Sequence, residues 1–341
     1  LRKEYLLKPG ISIIIPVYNT EKTLKRCLDS VFAQDFHSYE VILVNDGSTD
    51  RTLEVAKTYE RYSNFVLIDQ PNAGTARARW RGITGSDSDY LAFVDADDYI
   101  APDMMSKMYQ KVIETEADVV ICGVKRVNGR TNLYRRYKEG SETGIWATEK
   151  VMKGIINGSL WNKLFIRDLF FDEDYRKTIG IKYGQDQLLL APTIARAQKV
   201  AYLEEILYFY VQNPVSATNR PKVSALADLL KVRSFLFEFY KSPRFSEWNH
   251  LAPYYYAIGL IDILRILSRA EKQQEACDLR ANILTKLYDI PGSGIWRAKR
   301  SGVFFDIMLL RAGLFETFYS VWESDLFRPV RELRLKLSQK A

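Results

Sequence analysis

Asp95, Asp97 and Asp98 stand together at the end of an apolar run, Tyr90-Leu91-Ala92-Phe93-Val94. Carboxylates that emerge side by side from a buried strand repel one another and lose hydration, which is costly without a cation. A divalent metal shared with substrate phosphates would supply that charge, since hard cations take oxygen ligands. An exposed acidic turn leading into a helix opened by Pro102 accounts for the same residues. The cluster alone does not choose between the two. Other metal chemistry is poorly served. The chain has two histidines, His37 and His250, and three widely spaced cysteines, Cys27, Cys122 and Cys277. Neither set has the spacing of a zinc site or of a disulfide framework. Any reaction must rest on carboxylates, hydroxyls and basic groups.

The elements that would position these groups alternate. Ile11-Ser12-Ile13-Ile14-Ile15 reads as a strand stopped by Pro16, and Val41 to Val44, Phe65 to Ile68, Tyr90 to Val94 and Val119 to Cys122 as further buried strands. Between them, Thr23 to Phe32, Thr52 to Tyr62, a segment beginning at Ala76, and Met104 to Ile113 have helical spacing. Continuous apolar strands separated by amphipathic helices predict βαβ units and a parallel sheet covered on both faces. Ligands of such sheets bind beyond the carboxyl ends of the strands. Tyr18 and Asn19, Asp46-Gly47-Ser48, and Asp95 to Asp98 each follow a strand, so all three groups are expected at one crevice.

The chain has 341 residues, with 47% hydrophobic and 27% charged residues, ordinary for a globular protein of two or more units. No stretch is long and apolar enough for a membrane-spanning helix, and no signal-peptide pattern opens the sequence. Cytoplasmic residence is the expectation. The net charge is +7, and Ser224 to Ala341 holds 18 Lys+Arg against 13 Asp+Glu. That excess points to an anionic surface or a phosphate-bearing ligand, without any nucleic-acid motif. From Val223 onward the chain is largely helical, and Phe327 to Lys340 forms a basic amphipathic stretch. Internal packing, dimerisation and contact with an anionic bilayer remain open for it.

The run from Ile11 to Thr52 resembles the opening of family 2 glycosyltransferases. The likeness continues through Asn72-Ala73-Gly74, Ala78-Arg79, Gly82, Phe93 to Asp98, Trp161-Asn162-Lys163-Leu164 and Gly184-Gln185-Asp186. It implies a GT-A fold, Rossmann-like and mostly parallel, over residues 1–219. Residues 10–110 would form the nucleotide-sugar half and 111–219 the acceptor half, with a C-terminal helical region over 220–341. It also implies an inverting transfer from a UDP-sugar to a glycan or lipid-linked glycan acceptor in bacterial surface-polysaccharide synthesis, on the cytoplasmic face of the membrane. A nucleotide-sugar-binding scaffold without turnover is the alternative.

Residue by residue, the resemblance assigns Pro16, Tyr18 and Asp46 to a uridine pocket. Arg79 goes to the nucleotide's phosphates or base, and Asp95 and Ala96 to the donor. Asp97 with Asp95 would hold Mn²⁺ or Mg²⁺, and Asp186 would be the general base. Trp161, Lys163 and Asp98 would face the acceptor, and Ser216 and Asn219 match a further feature of the family. Three positions depart from the family pattern: Asn45 and Gln185 replace acids, and Trp80 replaces an asparagine. Asp186 would serve equally as a helix cap, which the resemblance does not exclude.

Overall fold

The computed structural model describes residues 10–127, 133–212, 222–267 and 274–290. The chain divides into two compact units, Leu1–Arg220 and Pro221–Ala341.

The first unit is built on one mixed sheet. β1 (Ile11–Val17), β2 (Tyr39–Asp46), β3 (Phe65–Gln70) and β4 (Tyr90–Phe93) pair with one another in parallel. The path continues through β5 (Tyr99–Ile100), β6 (Val119–Val127), β7 (Leu133–Arg135), β8 (Gly140–Glu142), β9 (Lys163–Ile166) and β10 (Val200–Val211), giving the lateral order β3-β2-β1-β4-β9-β6-β10-β5. β9 lies antiparallel between β4 and β6, and β5 is antiparallel to β10. β7 and β8 pair off this path with β6 and β10.

Alternation along β1 decides which side each residue feeds. Ile13 and Ile15 pack in a core with Leu24, Leu28 and Val31 of α1 (Leu24–Phe32), Ala56 of α2 (Thr52–Lys57) and Met104 and Met108 of α4 (Met104–Thr115). Ile14 faces the other way. It joins Ile83 of α3 (Thr75–Gly85), Ala147 of α5 (Gly144–Met152), and Leu189, Leu190 and Ile194 of α7 (Gln185–Arg196). Between α5 and α7 lies the short α6 (Asp172–Arg176). Helices therefore cover both faces, as a mostly parallel sheet requires. Gly82 of α3 sits so close to β1 that a Cβ there would come within 2.5 Å of Ile14 Cγ2.

Two expectations are corrected. β1 does not stop before Pro16: the proline lies inside the strand, opposite Val44, and the strand runs to Val17. A proline near a strand's carboxyl end withholds only one ladder donor, which the strand tolerates. The helix expected over Thr52 to Tyr62 ends at Lys57, with turns carrying the chain to β3.

The second unit contains α8 (Val223–Tyr240), α9 (Ala252–Leu267) and α10 (Gln274–Tyr288) around a core of Leu226, Leu230, Leu260, Leu264 and Ile283. Phe237 stacks on Tyr256 at 4.4 Å within it. Among the described residues no helix is long and apolar enough to cross a membrane. Ser216, Asn219 and the basic stretch Phe327–Lys340 lie outside the described residues.

Candidate active site

The loops after β1 and β2 are stitched together at the carboxyl edge of the sheet. Asn19, in the left-handed region at φ 52°, accepts the Thr49 N–H at 2.8 Å through its side chain and donates its own N–H to Ser48 Oγ. Thr20 N–H donates to Thr52 Oγ1 at 2.7 Å, and Arg51 N–H to Glu21. Tyr18, at the apex, keeps 48% of its surface exposed. That leaves an aromatic face open for stacking. Pro16, two residues earlier, is buried in β1, so its ring is not a contact surface.

Asp46 ends β2 and is 3% exposed. Its carboxylate accepts from Gln70 Nε2 at 2.7 Å, Ala73 N–H at 2.9 Å and Gly74 N–H at 2.8 Å. A carboxylate has about four lone-pair sites, so most of its capacity holds the segment leading into α3. Gly47 is required beside it, because at φ +70° a Cβ would lie 2.6 Å from the Asn72 nitrogen. The neighbouring Asn45 is also structural. It donates to Asp69 at 2.7 Å and accepts the Ser48 hydroxyl at 2.6 Å.

Gly74, anchored by Asp46, opens α3, and Arg79 lies in the second turn of that helix. Arg79 is 4% exposed, and its fork joins two acids far apart in sequence. Nη2 lies 2.9 Å from Asp95 Oδ1, and Nη1 lies 2.5 Å from Asp186 Oδ1. Its Nε is buried without a partner among the described residues. The expectation that this fork lies open to a nucleotide is corrected: both ends are occupied by carboxylates. Asp186 sits in the first turn of α7, behind Gly184 at the cap position with φ 82°. Its side chain makes no capping bond and turns to Arg79 instead. Burial pushes the Asp186 carboxyl above the ordinary range, Asp95 adds to this, and Arg79 opposes it. Trp80, next on α3, stacks face to face on Tyr175 of α6 at 5.1 Å.

The Asp95–Asp98 turn divides its acids. Asp95 and Asp97 are half-buried, while Ala96 and Asp98 are buried. Burial, then the nearby Asp95 charge, raises the Asp97 carboxyl. Asp98 is fully buried and accepts from Tyr208 Oη and the Val211 N–H, both at 2.8 Å. Burial, with Asp95 and Asp97 adding, pushes it up to about 8. Its expected acceptor role fails, because a carboxyl with no exposure cannot meet a substrate. Ala96 likewise offers little surface, at 4% exposure.

Lys163 is corrected on the same ground. It is fully buried, its ammonium bonded to Asn157 Oδ1, the Ser159 carbonyl and Asn162 Oδ1, so it braces the turn before β9. Burial pushes it down to about 7. Trp161 is half-buried and stacks on Tyr208 at 4.7 Å and Tyr210 at 5.6 Å.

No group of three or more acids, histidines or cysteines among the described residues forms a metal cage. Asp95 and Asp97 still fit a cation that shares its ligands with phosphates. Such ions are held by one or two carboxylates, with substrate oxygens and water completing the shell. Burial and the neighbouring Asp95 charge raise the Asp97 carboxyl, and a cation bound there would offset both. Sequence reasoning missed Gln70, Arg26 and the pairing of Tyr208 with Asp98. None carries a local signal, since each partner lies at least 24 residues away.

The family model for Glycosyl transferase family 2 matches residues 12–176. An uncharacterized glycosyltransferase of Bacillus subtilis, EpsJ, is 31% identical over 248 residues, which cover 65% of this chain and 67% of EpsJ. The chain belongs to glycosyl transferase family 2. The glycosyltransferase GlyA of Streptococcus pneumoniae is 33% identical over 218 residues, 60% of this chain and 31% of GlyA, so the match spans about a third of that relative. A crystal structure of S. aureus TarS 1-349 superposes with a TM-score of 0.71 over 93% of this chain and 91% of that one, at 22% identity. The same TarS segment in complex with UDP-GlcNAc superposes with a TM-score of 0.66, at 20% identity. This likeness shows a shared GT-A fold.

Proposed function

We propose that this chain transfers a sugar from a UDP-sugar to a hydroxyl of a glycan acceptor, with inversion at the anomeric carbon. The observation that carries the reading is Arg79, which holds Asp186 and Asp95 on the two ends of one guanidinium at the carboxyl edge of the sheet. It joins a candidate base to the acids of the donor side. The family membership and the UDP-GlcNAc complex of TarS support the donor class.

In this reading Tyr18 stacks on the uracil, and Asp46 orders the 72–74 segment with one acceptor site left for the base. Asp97 and Asp95 would hold Mn²⁺ or Mg²⁺, which would neutralise charge on the departing diphosphate. Asp186 keeps Oδ1 on Arg79. Its second oxygen takes the proton of the acceptor hydroxyl as that oxygen bonds to the anomeric carbon. The bond from this carbon to the diphosphate breaks on the opposite face, and UDP leaves with the electron pair. Trp161 offers an aromatic edge to the acceptor sugar.

A bacterial surface glycan, lipid-linked at the cytoplasmic face of the membrane, is the acceptor class that fits the family and the basic C-terminal sequence. Membrane-surface contact or self-association of that region belongs to the same proposal. The test is a thermal-shift screen of UDP-sugars with and without Mn²⁺, followed by UDP-release assays on lipid-linked and free oligosaccharides. A donor that stabilises the protein only with metal, and releases UDP only with an acceptor, supports the reading. Binding without release by any acceptor favours the non-catalytic scaffold.

A further inference from the structure

The chain leaves the sheet just before the metal-side acids. Val94 N–H makes the last bond to β1, to the Ile14 carbonyl at 3.1 Å. From there the acids depend on other elements for their position. The next amide, Asp95 N–H, donates to Tyr208 Oη at 3.1 Å, and that hydroxyl donates to Asp98 Oδ2 at 2.8 Å. Asp98 N–H closes the turn on the Asp95 carbonyl at 3.0 Å, and Asp98 Oδ1 accepts the Val211 N–H. One buried hydroxyl therefore binds both ends of the turn that presents Asp95 and Asp97. From the other side, Arg26 of α1 donates to the Asp97 carbonyl at 2.6 Å.

Tyr208 is itself rigid. It is fully buried, it sits in β10 opposite Ile100 of β5, and Trp161 stacks on its face. Nothing about the hydroxyl's position makes it a substrate group, since it has no exposed surface. Its two hydrogen bonds satisfy groups that would otherwise be buried unpaired, and an unpaired buried group is costly.

We propose that Tyr208 is the positioning residue for the metal-binding acids. Its hydroxyl fixes the Asp95–Asp98 turn so that Asp95 and Asp97 share one cation, and its ring ties that turn to Trp161 on the acceptor side. This rests on the functional reading above. Tyr208→Phe keeps the ring and its packing but leaves the Asp95 amide and the Asp98 carboxyl short of a partner. Free to tilt, the turn no longer holds two carboxylates at one cation's distance.

The experiment titrates Mn²⁺ against the full chain at fixed UDP, by calorimetry, and compares Tyr208→Phe, Asp98→Ala, which removes the acceptor of the Tyr208 hydroxyl, and the double variant with wild type. The expected result is an increase of about tenfold in the half-saturating Mn²⁺ for each single variant, the scale of one lost buried hydrogen bond. The double variant adds little more, because both changes cut the same link. Metal-independent UDP affinity stays within about twofold, which a general loss of structure would not allow. If Tyr208→Phe fails to fold, Asp98→Ala keeps the ring in place, removes the acceptor of its hydroxyl and must give the same selective loss. An unchanged Mn²⁺ midpoint in a folded variant, or additive effects in the double variant, overturns the positioning role while leaving the functional reading standing. No metal-dependent UDP binding by wild type overturns both.

Discussion

Replacing Arg79 by Met should destabilise the first unit far more than the loss of one charge would. The guanidinium is 4% exposed and lies between two carboxylates at 2.9 Å and 2.5 Å. At an effective dielectric near 20, unit charges centred about 4 Å apart attract by about 4 kcal/mol, much of it offset by desolvation of the arginine. Removing one partner of a buried ion pair costs about 3–5 kcal/mol, because the remaining charge is uncompensated. Asp95 and Asp186 keep 27% and 22% of their side-chain surface, so water recovers part of this. The expected loss is about 2–4 kcal/mol, or roughly 5–15 °C in Tm for a unit of this size.

The assay is urea unfolding, since urea does not screen charge, with Arg77→Met as the control. Arg77 is exposed on the same helix and should shift stability by about 0.5 kcal/mol at most. The pH dependence adds a second reading. Burial already raises the Asp186 carboxyl, and losing Arg79 removes its chief opponent. An acid with a higher pKa folded than unfolded binds more protons when folded, so stability falls as pH rises above the ordinary carboxylate range. The deficit of Arg79→Met should be largest near neutrality and shrink as the pH falls to about 4. A deficit no larger than that of Arg77→Met, or one that grows in acid, would refute the clamp.

Asp186→Asn should lower kcat by about 10²–10⁴-fold while UDP affinity is kept, measured by UDP release and by calorimetry; turnover near wild type removes Asp186 as base. Asp97→Ala should abolish the part of UDP affinity that depends on Mn²⁺, and an unchanged metal increment counts against ligation. Gly82→Ala should cost about 1–3 kcal/mol in urea unfolding, because its Cβ would press on Ile14 Cγ2 at 2.5 Å; a neutral result means α3 slides freely on β1.

The parallel half of the sheet was legible because its signals are local. Each of the first four strands is an apolar run with a polar cluster behind it, and the rule for ligands of parallel sheets then gathers Tyr18, Asp46 and Asp95 at one edge. What sequence could not supply was the direction of buried polar side chains. Lys163 and Asp98 look like surface groups in a string of letters, yet both are fully buried. The partners of Asp98, Tyr208 and Val211, become neighbours only once β10 joins the sheet, whereas those of Lys163, Asn157 and Ser159, lie in the turn just before it and are set by how that turn folds. Arg79 was assigned to the nucleotide's phosphates or base, whereas the structure commits both of its terminal nitrogens to carboxylates. Its helix is amphipathic in an unusual sense, with small residues, Ala76, Ala78 and Gly82, letting it approach the sheet closely enough to bury a cation.

The charges at this edge then make a demand on the ligand. Asp95 and Asp186 pair with Arg79, Asp97 lies beside Asp95, and burial with these neighbours raises the Asp98 carboxyl. With Arg79 between Asp95 and Asp186 and Arg26 bonded to the Asp97 carbonyl, the three acids leave the group at about −1 when ionised. A UDP-sugar brings two more negative charges on its diphosphate. Arg79 cannot serve both the ligand and the acids, because its two terminal nitrogens are already taken. Apposing these like charges in a partly desolvated cleft is unfavourable by several kcal/mol unless a divalent cation enters with the donor. In the proposed reading, the charges at this edge and the commitment of the arginine favour a divalent cation entering with the donor, held by Asp95 and Asp97.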